Sequence, residues 1–268
     1  MRQFIKRNLA FARLGIQTNL EYRFNFFIDA AVQPAMTALI EIFLWIALFA
    51  ALKTETLNGF TKESYLSYVI WSSFIGRIAI SWMYEHLMMD EIETGSINAI
   101  ILRPMTFFEY YLSQLLGYKL VVFCFSVLVP LSIVFYYNLP TELGRLPAVT
   151  LMIFYYLIFI HAMSFLTACL AFFLNRVRSF TLVKNFSIYI MSGELFPLDL
   201  LPVFWKNIFL KLPFSSGVYL PVGYLTGRVD TELFLQGFTN ITYGLMVVLT
   251  ISYFVWKKGL GSYSGTGA

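Results

Sequence analysis

What most constrains this chain is a succession of apolar runs separated by short polar breaks, near residues 24–52, 65–89, 107–137, 147–174, 180–197 and 233–256. A hydrocarbon core takes about 20 mainly apolar residues to cross as a helix, so each run predicts a transmembrane span. Only 13% of the residues are charged and 59% are hydrophobic, against about 25% charged in soluble domains. An ordinary soluble domain is excluded. The expected fold is an all-α polytopic membrane protein with six transmembrane helices, and one membrane domain over residues 1–268 accounts for the whole sequence.

The positive-inside rule orients the spans. Five Lys or Arg precede or meet the first run; Arg103, then Arg176, Arg178 and Lys184, then Lys257 and Lys258 fall on the same side. Lys53, Lys62, Arg145, Lys206, Lys211 and Arg228 fall on the other, and Arg77 and Lys119 lie within runs. Eleven against six predicts both termini on the cytoplasmic face of an inner membrane. The scatter of these cations argues against a nucleic-acid surface.

The leader lacks a continuous apolar core and a small-residue cleavage site, so it is not read as a signal peptide. Residues 1–23 suit an interfacial amphipathic helix, with Ile5, Leu9, Ala12, Ile16 and Leu20 on one stripe flanked by Arg2, Lys6, Arg7 and Arg13. A disordered basic leader is the alternative. At the other end, residues 259–268 read as a flexible Gly/Ser tail.

Residues 192–230 are apolar yet broken by Gly193, Pro197, Pro202, Pro213, Gly217, Pro221, Gly223 and Gly227. Irregular backbone at membrane depth survives only beside protein or a water-filled cavity. The stretch is therefore expected to form two re-entrant half-helices lining an exit path, with Glu194, Phe196 and Phe214 as pathway or gate residues. A folded cap on the outer leaflet is the other reading.

No phosphate-binding G-x-x-x-x-G-K-[ST], dinucleotide fingerprint or H-E-x-x-H motif occurs. Cys124 and Cys169 have no metal-ligand spacing, and their spans put them at depths about 16 Å apart, so they should not pair. No catalytic residue and no metal site is expected. Any nucleotide that powers the chain must be bound elsewhere.

The polar break at residues 90–106 opens with Asp90, Glu91 and Glu93. Ser96 can cap a short helix whose Ile97, Ile100 and Ile101 share a face, and Pro104 ends it. Thr106 to Glu109 then fits a capping box that starts the next span. Periodicity alone leaves a plain interfacial loop as an equal alternative. The pattern D-E-I-E-T-G-S-I-N-A-I-I-L-R-P between second and third spans, with the basic leader and the proline-broken G-E-L-F-P-L-D-L-L-P after the fifth span, resembles the membrane subunits of ABC-2-type ABC exporters. That resemblance implies a permease without enzymatic activity of its own. It implies a cytoplasmic coupling helix between helices 2 and 3 that contacts an ATP-binding subunit through Glu91, Glu93, Ile97, Asn98, Ile101 and Arg103. It also implies two copies of that subunit, carrying ATP and Mg, and a second permease chain, identical or related. The cargo would move outward and could be amphipathic or lipid-like.

Ionisable groups inside a membrane are costly. Glu41 and Arg77 lie at matching depths, about 17 Å below the outer ends of their spans, and are expected to form an intramembrane ion pair, more a lock between helices than a cargo site. Asp29 and Glu85 are expected as interfacial anchors. His161, mid-span, is either a pathway group or a helix-to-helix hydrogen-bond partner. Two other functions are compatible with these residues. One is a channel or proton-coupled carrier using Glu41, Arg77 and His161; the other is a lipid-modifying enzyme using His161 with Glu85 or His86.

Overall fold

A computed structural model describes residues 2–21, 23–174 and 177–263, with side chains from Ile5 onward. The Arg2 side chain, Arg176 and residues 264–268 of the expected tail lie outside the described residues. The chain is almost wholly helical: α1 (Arg2–Glu21), α2 (Arg23–Leu52), α3 (Lys62–Ala79), α4 (Trp82–Thr94), α5 (Asn98–Ile101), α6 (Phe107–Tyr136), α7 (Leu146–Cys169), α8 (Val177–Met191), α9 (Val203–Lys211), α10 (Tyr219–Leu225) and α11 (Thr231–Ser262). Among the described residues, four helices are long and apolar enough to cross a membrane: α2, α6, α7 with its 3₁₀ ends (Leu143–Phe172), and α11. The run expected as a second span is split into α3 and α4, and the fifth is a 15-residue helix, α8.

The all-α expectation misses one small element. Thr56–Leu57 and Phe60–Thr61 form a two-stranded antiparallel hairpin, β1 and β2. Asn58 and Gly59 both take positive φ, 49° and 83°, the turn that Asn-Gly favours between strands.

α3 and α7 form the centre. Trp71, Phe74, Tyr65, Tyr68 and Tyr156 are fully buried there, and the most apolar window of α7 is 61% buried, against 17% for α2 and for α11. The two peripheral helices turn Phe43, Leu44, Met246 and Phe254 outward, the surface a lipid environment accepts. α10, closing the broken stretch, buries every residue but the half-buried Tyr224, whereas α9 buries none of its residues.

α1 lies across α6 rather than standing apart. Gly15 and Gly117 let the backbones meet: a Cβ on Gly117 would fall inside contact distance of the Ala12 carbonyl, and one on Gly15 would do so at Gln114. The Ser113 hydroxyl donates to Asn8 at 2.7 Å. Ile5, Leu9 and Leu20 of the expected apolar stripe stay exposed. At the other terminus α11 runs through Ser262, so residues 259–262 are helical rather than a tail, and the Tyr263 hydroxyl donates to the Gly95 carbonyl at 3.2 Å.

Candidate transport pathway and coupling loop

Two backbone irregularities meet near the middle of the molecule. In α2, Pro34 cannot donate the amide that residue 30 would accept, and the helix widens into one π-helical turn, Ile28–Val32, which carries Asp29. Between α3 and α4, Ile80 is extended (φ −97°, ψ 152°) and breaks the helix. The carbonyls at the end of α3 then lack intrahelical partners. The ammonium of buried Lys119, from α6, donates to one of them, Arg77 O, at 2.7 Å. Ser81, at the break, shares a 2.7 Å hydrogen bond with Ser164 of α7.

Arg77 reaches from this break to Asp29, forming an ion pair and donating Nε–H to the Asp29 carbonyl at 3.0 Å. The Tyr118 hydroxyl donates to the same carboxylate. The expected Glu41–Arg77 pair is therefore not formed. Depth alone matched them, but Asp29, on the π turn, takes the Arg77 guanidinium instead. Asp29 is part of this cluster and not a surface anchor. Glu85 is not a surface anchor either: it is fully buried, in an ion pair with Lys184 of α8.

Two cavities flank Arg77. One, of about 580 Å³, lies toward α1 and is lined by Thr18, Asn19, Asn25, Asp29, Tyr118 and Lys119. The other, of about 190 Å³, lies toward the 192–230 stretch and is lined by Ser73, Tyr156, Asn185, Tyr189, Ser192 and Glu194. Gln33, Arg77, Ile80 and Trp82 border both. Glu194, expected near a gate, lies in this cavity wall with its carboxylate against Gly76. Phe196 borders neither cavity, and Phe214 packs on Phe159 (ring centroids 5.7 Å apart) beside a separate apolar groove. His161 is also outside both. It is fully buried, with Nε2 3.1 Å from the Phe108 carbonyl and its ring 4.6 Å from that of Phe108. A carbonyl only accepts, so Nε2 carries the proton, and the residue ties α7 to α6.

The polar loop contains the single turn α5. Ile97 N–H bonds to the Glu91 carbonyl at 3.0 Å, which folds the loop back on α4. Ile97 and Ile100 turn into the core, 0% and 3% exposed, whereas Ile101 is 44% and Leu102 87% exposed. The shared three-isoleucine face is thus not formed, and Ile97 is not available as a surface contact. Ser96 bonds to Thr94 and does not cap α5. The Thr106–Glu109 capping box is present. Glu93, Asn98 and Arg103 are exposed. Glu91 is half-buried, and burial holds its carboxyl above the ordinary carboxylate value, partly offset by Tyr111 and Arg103. Three braces hold the loop. Arg7 of α1 donates to the Pro104 carbonyl and pairs with Glu109 at 3.3 Å. Arg178 of α8 pairs with Asp90, and Tyr263 holds Gly95.

Sequence reasoning missed the network around Asp199. Lys206 (2.8 Å), Arg228 (3.3 Å) and the Tyr219 hydroxyl (2.8 Å) converge on its carboxylate. The Arg228 guanidinium lies 4.0 Å from the ring centre of Phe60, 4.2 Å from Tyr65 and 5.3 Å from Tyr68. Such a cage satisfies a buried cation partly through ring quadrupoles, and it fastens the hairpin and the broken stretch to α3.

No curated protein matches the chain. The family model for the ABC-2 family transporter protein matches residues 35–267, a range that contains Arg77, Lys119, Glu194 and the polar loop and begins just after Asp29, and the chain belongs to this family of ABC transporter membrane proteins.

Proposed function

We propose that the chain is the permease subunit of an ATP-driven exporter in the cytoplasmic membrane. It pairs with a second permease, the same or related, and is powered by two ATP-binding subunits that carry the ATP and Mg. In this reading the short helices α3 with α4, and α8, complete six crossings. Both termini face the cytoplasm, α5 is the coupling element, and α9 and α10 are the half-helices beside the exit. The observation that carries the proposal is the exposed Ile101–Leu102 pair on a loop braced by Arg7 of α1, Arg178 of α8 and Tyr263 at the end of α11. An apolar tip held rigidly in water is costly unless a partner covers it, and rigid bracing lets a push on the tip reach α4 and α6. Glu93, Asn98 and Arg103 supply a polar rim, as at protein interfaces.

The alternatives lose their residues. A carrier built on Glu41, Arg77 and His161 needs them together, yet Arg77 is engaged by Asp29 and His161 by Phe108. A lipid-modifying enzyme needs His161 beside Glu85 or His86, but Glu85 is paired with Lys184 and His86 points outward.

Co-purification with the cognate ATPase tests the proposal. Leu102→Asp should abolish complex formation and coupled ATP hydrolysis while leaving thermal stability unchanged. Ile97→Ala should instead lower stability by about 2–5 kcal/mol, the range for emptying a buried Ile site. Undisturbed coupling in Leu102→Asp would remove the loop from the interface.

A further inference from the structure

Apart from the cavities at Arg77, a groove of about 290 Å³ lies between α7, α11 and the Pro213 turn that follows α9. Its walls are Phe159, Met163, Pro213, Phe214, Tyr243 and Val247, and none of the residues lining it is acidic. Gly244 brings α11 against the floor, where a Cβ would fall 2.8 Å from Pro213 and 3.0 Å from the Phe159 ring. Tyr243 and Val247 are exposed on the open side. From Asn240 to Val248 the groove runs about 12 Å along α11, at 1.5 Å per residue. Lys211 stands at the Asn240 end, because Asn240 Nδ2 donates to the neighbouring Leu210 carbonyl at 2.8 Å. Lys184 and Lys206 are paired with carboxylates, and Lys119 is held by a carbonyl. Lys211 is exposed and has no ion pair among the described residues.

The depth of that cation gives it a partner. Lys257 and Lys258 close the apolar run of α11, and a hydrocarbon core crossed by about 20 residues ending at Trp256 begins near Gly237. Asn240 is then about 5 Å inside the opposite edge of the core, and Lys211 stands where headgroups meet acyl chains. We infer that the groove holds one acyl chain of an anionic glycerophospholipid whose phosphate pairs with Lys211. The amide of Asn240 has a second N–H to offer a phosphate or glycerol oxygen. A lysine at this level extends its stem along apolar surface and its ammonium toward the headgroups, where lipid phosphates lie. Of the lipids within reach, an anionic one is favoured, because a zwitterionic headgroup brings its own cation to the same phosphate. The acyl chain in turn meets side chains on both walls and the floor, which surrounds it with more dispersion contacts than a flat helix face provides. Lying between Phe159, Pro213 and Val247, it ties the broken stretch to both long helices, so occupancy stabilises the folded chain. The site requires a membrane and no ATPase, and it stands whether or not the chain is an exporter.

The test is titration of the full chain, purified in detergent and stripped of lipid, with dioleoylphosphatidylglycerol or dioleoylphosphatidylcholine. Native mass spectrometry counts the lipids retained, and thermal unfolding is followed in parallel. Wild type should retain one phosphatidylglycerol about fivefold more tightly than phosphatidylcholine, the scale of one lysine meeting an anionic headgroup, with a higher unfolding midpoint. Lys211→Gln should abolish the preference and Lys211→Arg keep it. Val247→Trp, which fills the open side of the groove, should weaken retention of both lipids. Should that variant fail to fold, the two Lys211 variants decide, since the side chain they alter is exposed. Lys53→Gln removes an exposed lysine outside the groove and should leave the preference as it is. Equal retention of the two lipids by wild type overturns the inference. So does an undiminished preference in Lys211→Gln, or an equal loss in Lys53→Gln, which would mark a general attraction of surface charge. Displacement of the bound lipid by glycerol 3-phosphate at the lipid's own concentration would also overturn it, by showing that the acyl chain and its groove contribute nothing.

Discussion

Arg77 illustrates what a single residue does in this chain. Its guanidinium spans the break between two helices, and its own carbonyl holds Lys119. Removing it strands Asp29, so Arg77→Leu should destabilise the protein, by less than the about 3–5 kcal/mol of a fully buried pair, because the Arg77 and Asp29 side chains keep 19% and 33% of their surface exposed. Asp29→Asn should cost a similar amount and Glu41→Gln far less, measured by thermal unfolding in detergent; the reverse ranking would restore the pairing expected from depth alone. Glu91 is a second case. Burial raises its folded pKa from 4.5, so the folded state binds the proton more tightly than the unfolded one. The stability this contributes is complete below about 4.5 and is lost as pH rises through the raised folded value. Glu91→Gln should therefore raise the unfolding midpoint at neutral pH and leave it unchanged at pH about 4. An equal shift at both pH values would show that the carboxyl is not the cause. The Glu91 carboxylate was legible in the sequence as one of three acids, but its burial was not, because burial depends on Ile97 folding back under α4.

At the scale of elements, the helices that stand out in sequence are those whose length and composition suffice by themselves. α6 begins at its expected capping box and α11 at Asp230, whose side chain accepts from the Leu233 amide at 2.8 Å. The break after Ala79 had no such signal, since neither Pro nor Gly lies between residues 79 and 82. It is made by contacts with α6 and α7, which supply Lys119 and Ser164. The same holds for α1: its apolar stripe was visible, but its fixation comes from two glycines 102 positions apart in the chain that let backbones touch. Gly117→Val should push α1 off α6, costing about 1–3 kcal/mol as in other overpacked contacts. It should also make residues 2–21 sensitive to protease. A variant with native stability and a protected α1 would contradict the close packing.

For the whole molecule, the two cavities on either side of Arg77 give the transport proposal a topological consequence. A cysteine at Asn25 should react with a membrane-impermeant thiol reagent only from the α1 side, and one at Ser192 only from the side of the broken stretch. In both cases the reaction should be lost when the reagent is offered from the opposite face. Labelling of both from one side would mean that Arg77 does not separate two compartments. The sequence by itself determined that the protein is helical and membrane-embedded, where its polar loop lies and which family it resembles, because run length, charge placement and capping are local and additive along the chain. Only the tertiary structure decided that Arg77 pairs with Asp29 rather than Glu41, that Ile97 is core while Leu102 is surface, and that Glu194 stands unpaired in a cavity. Each of those depends on which helix is opposite and how far a π turn or a break has rotated it, and neither quantity is written in the spacing of residues along one helix.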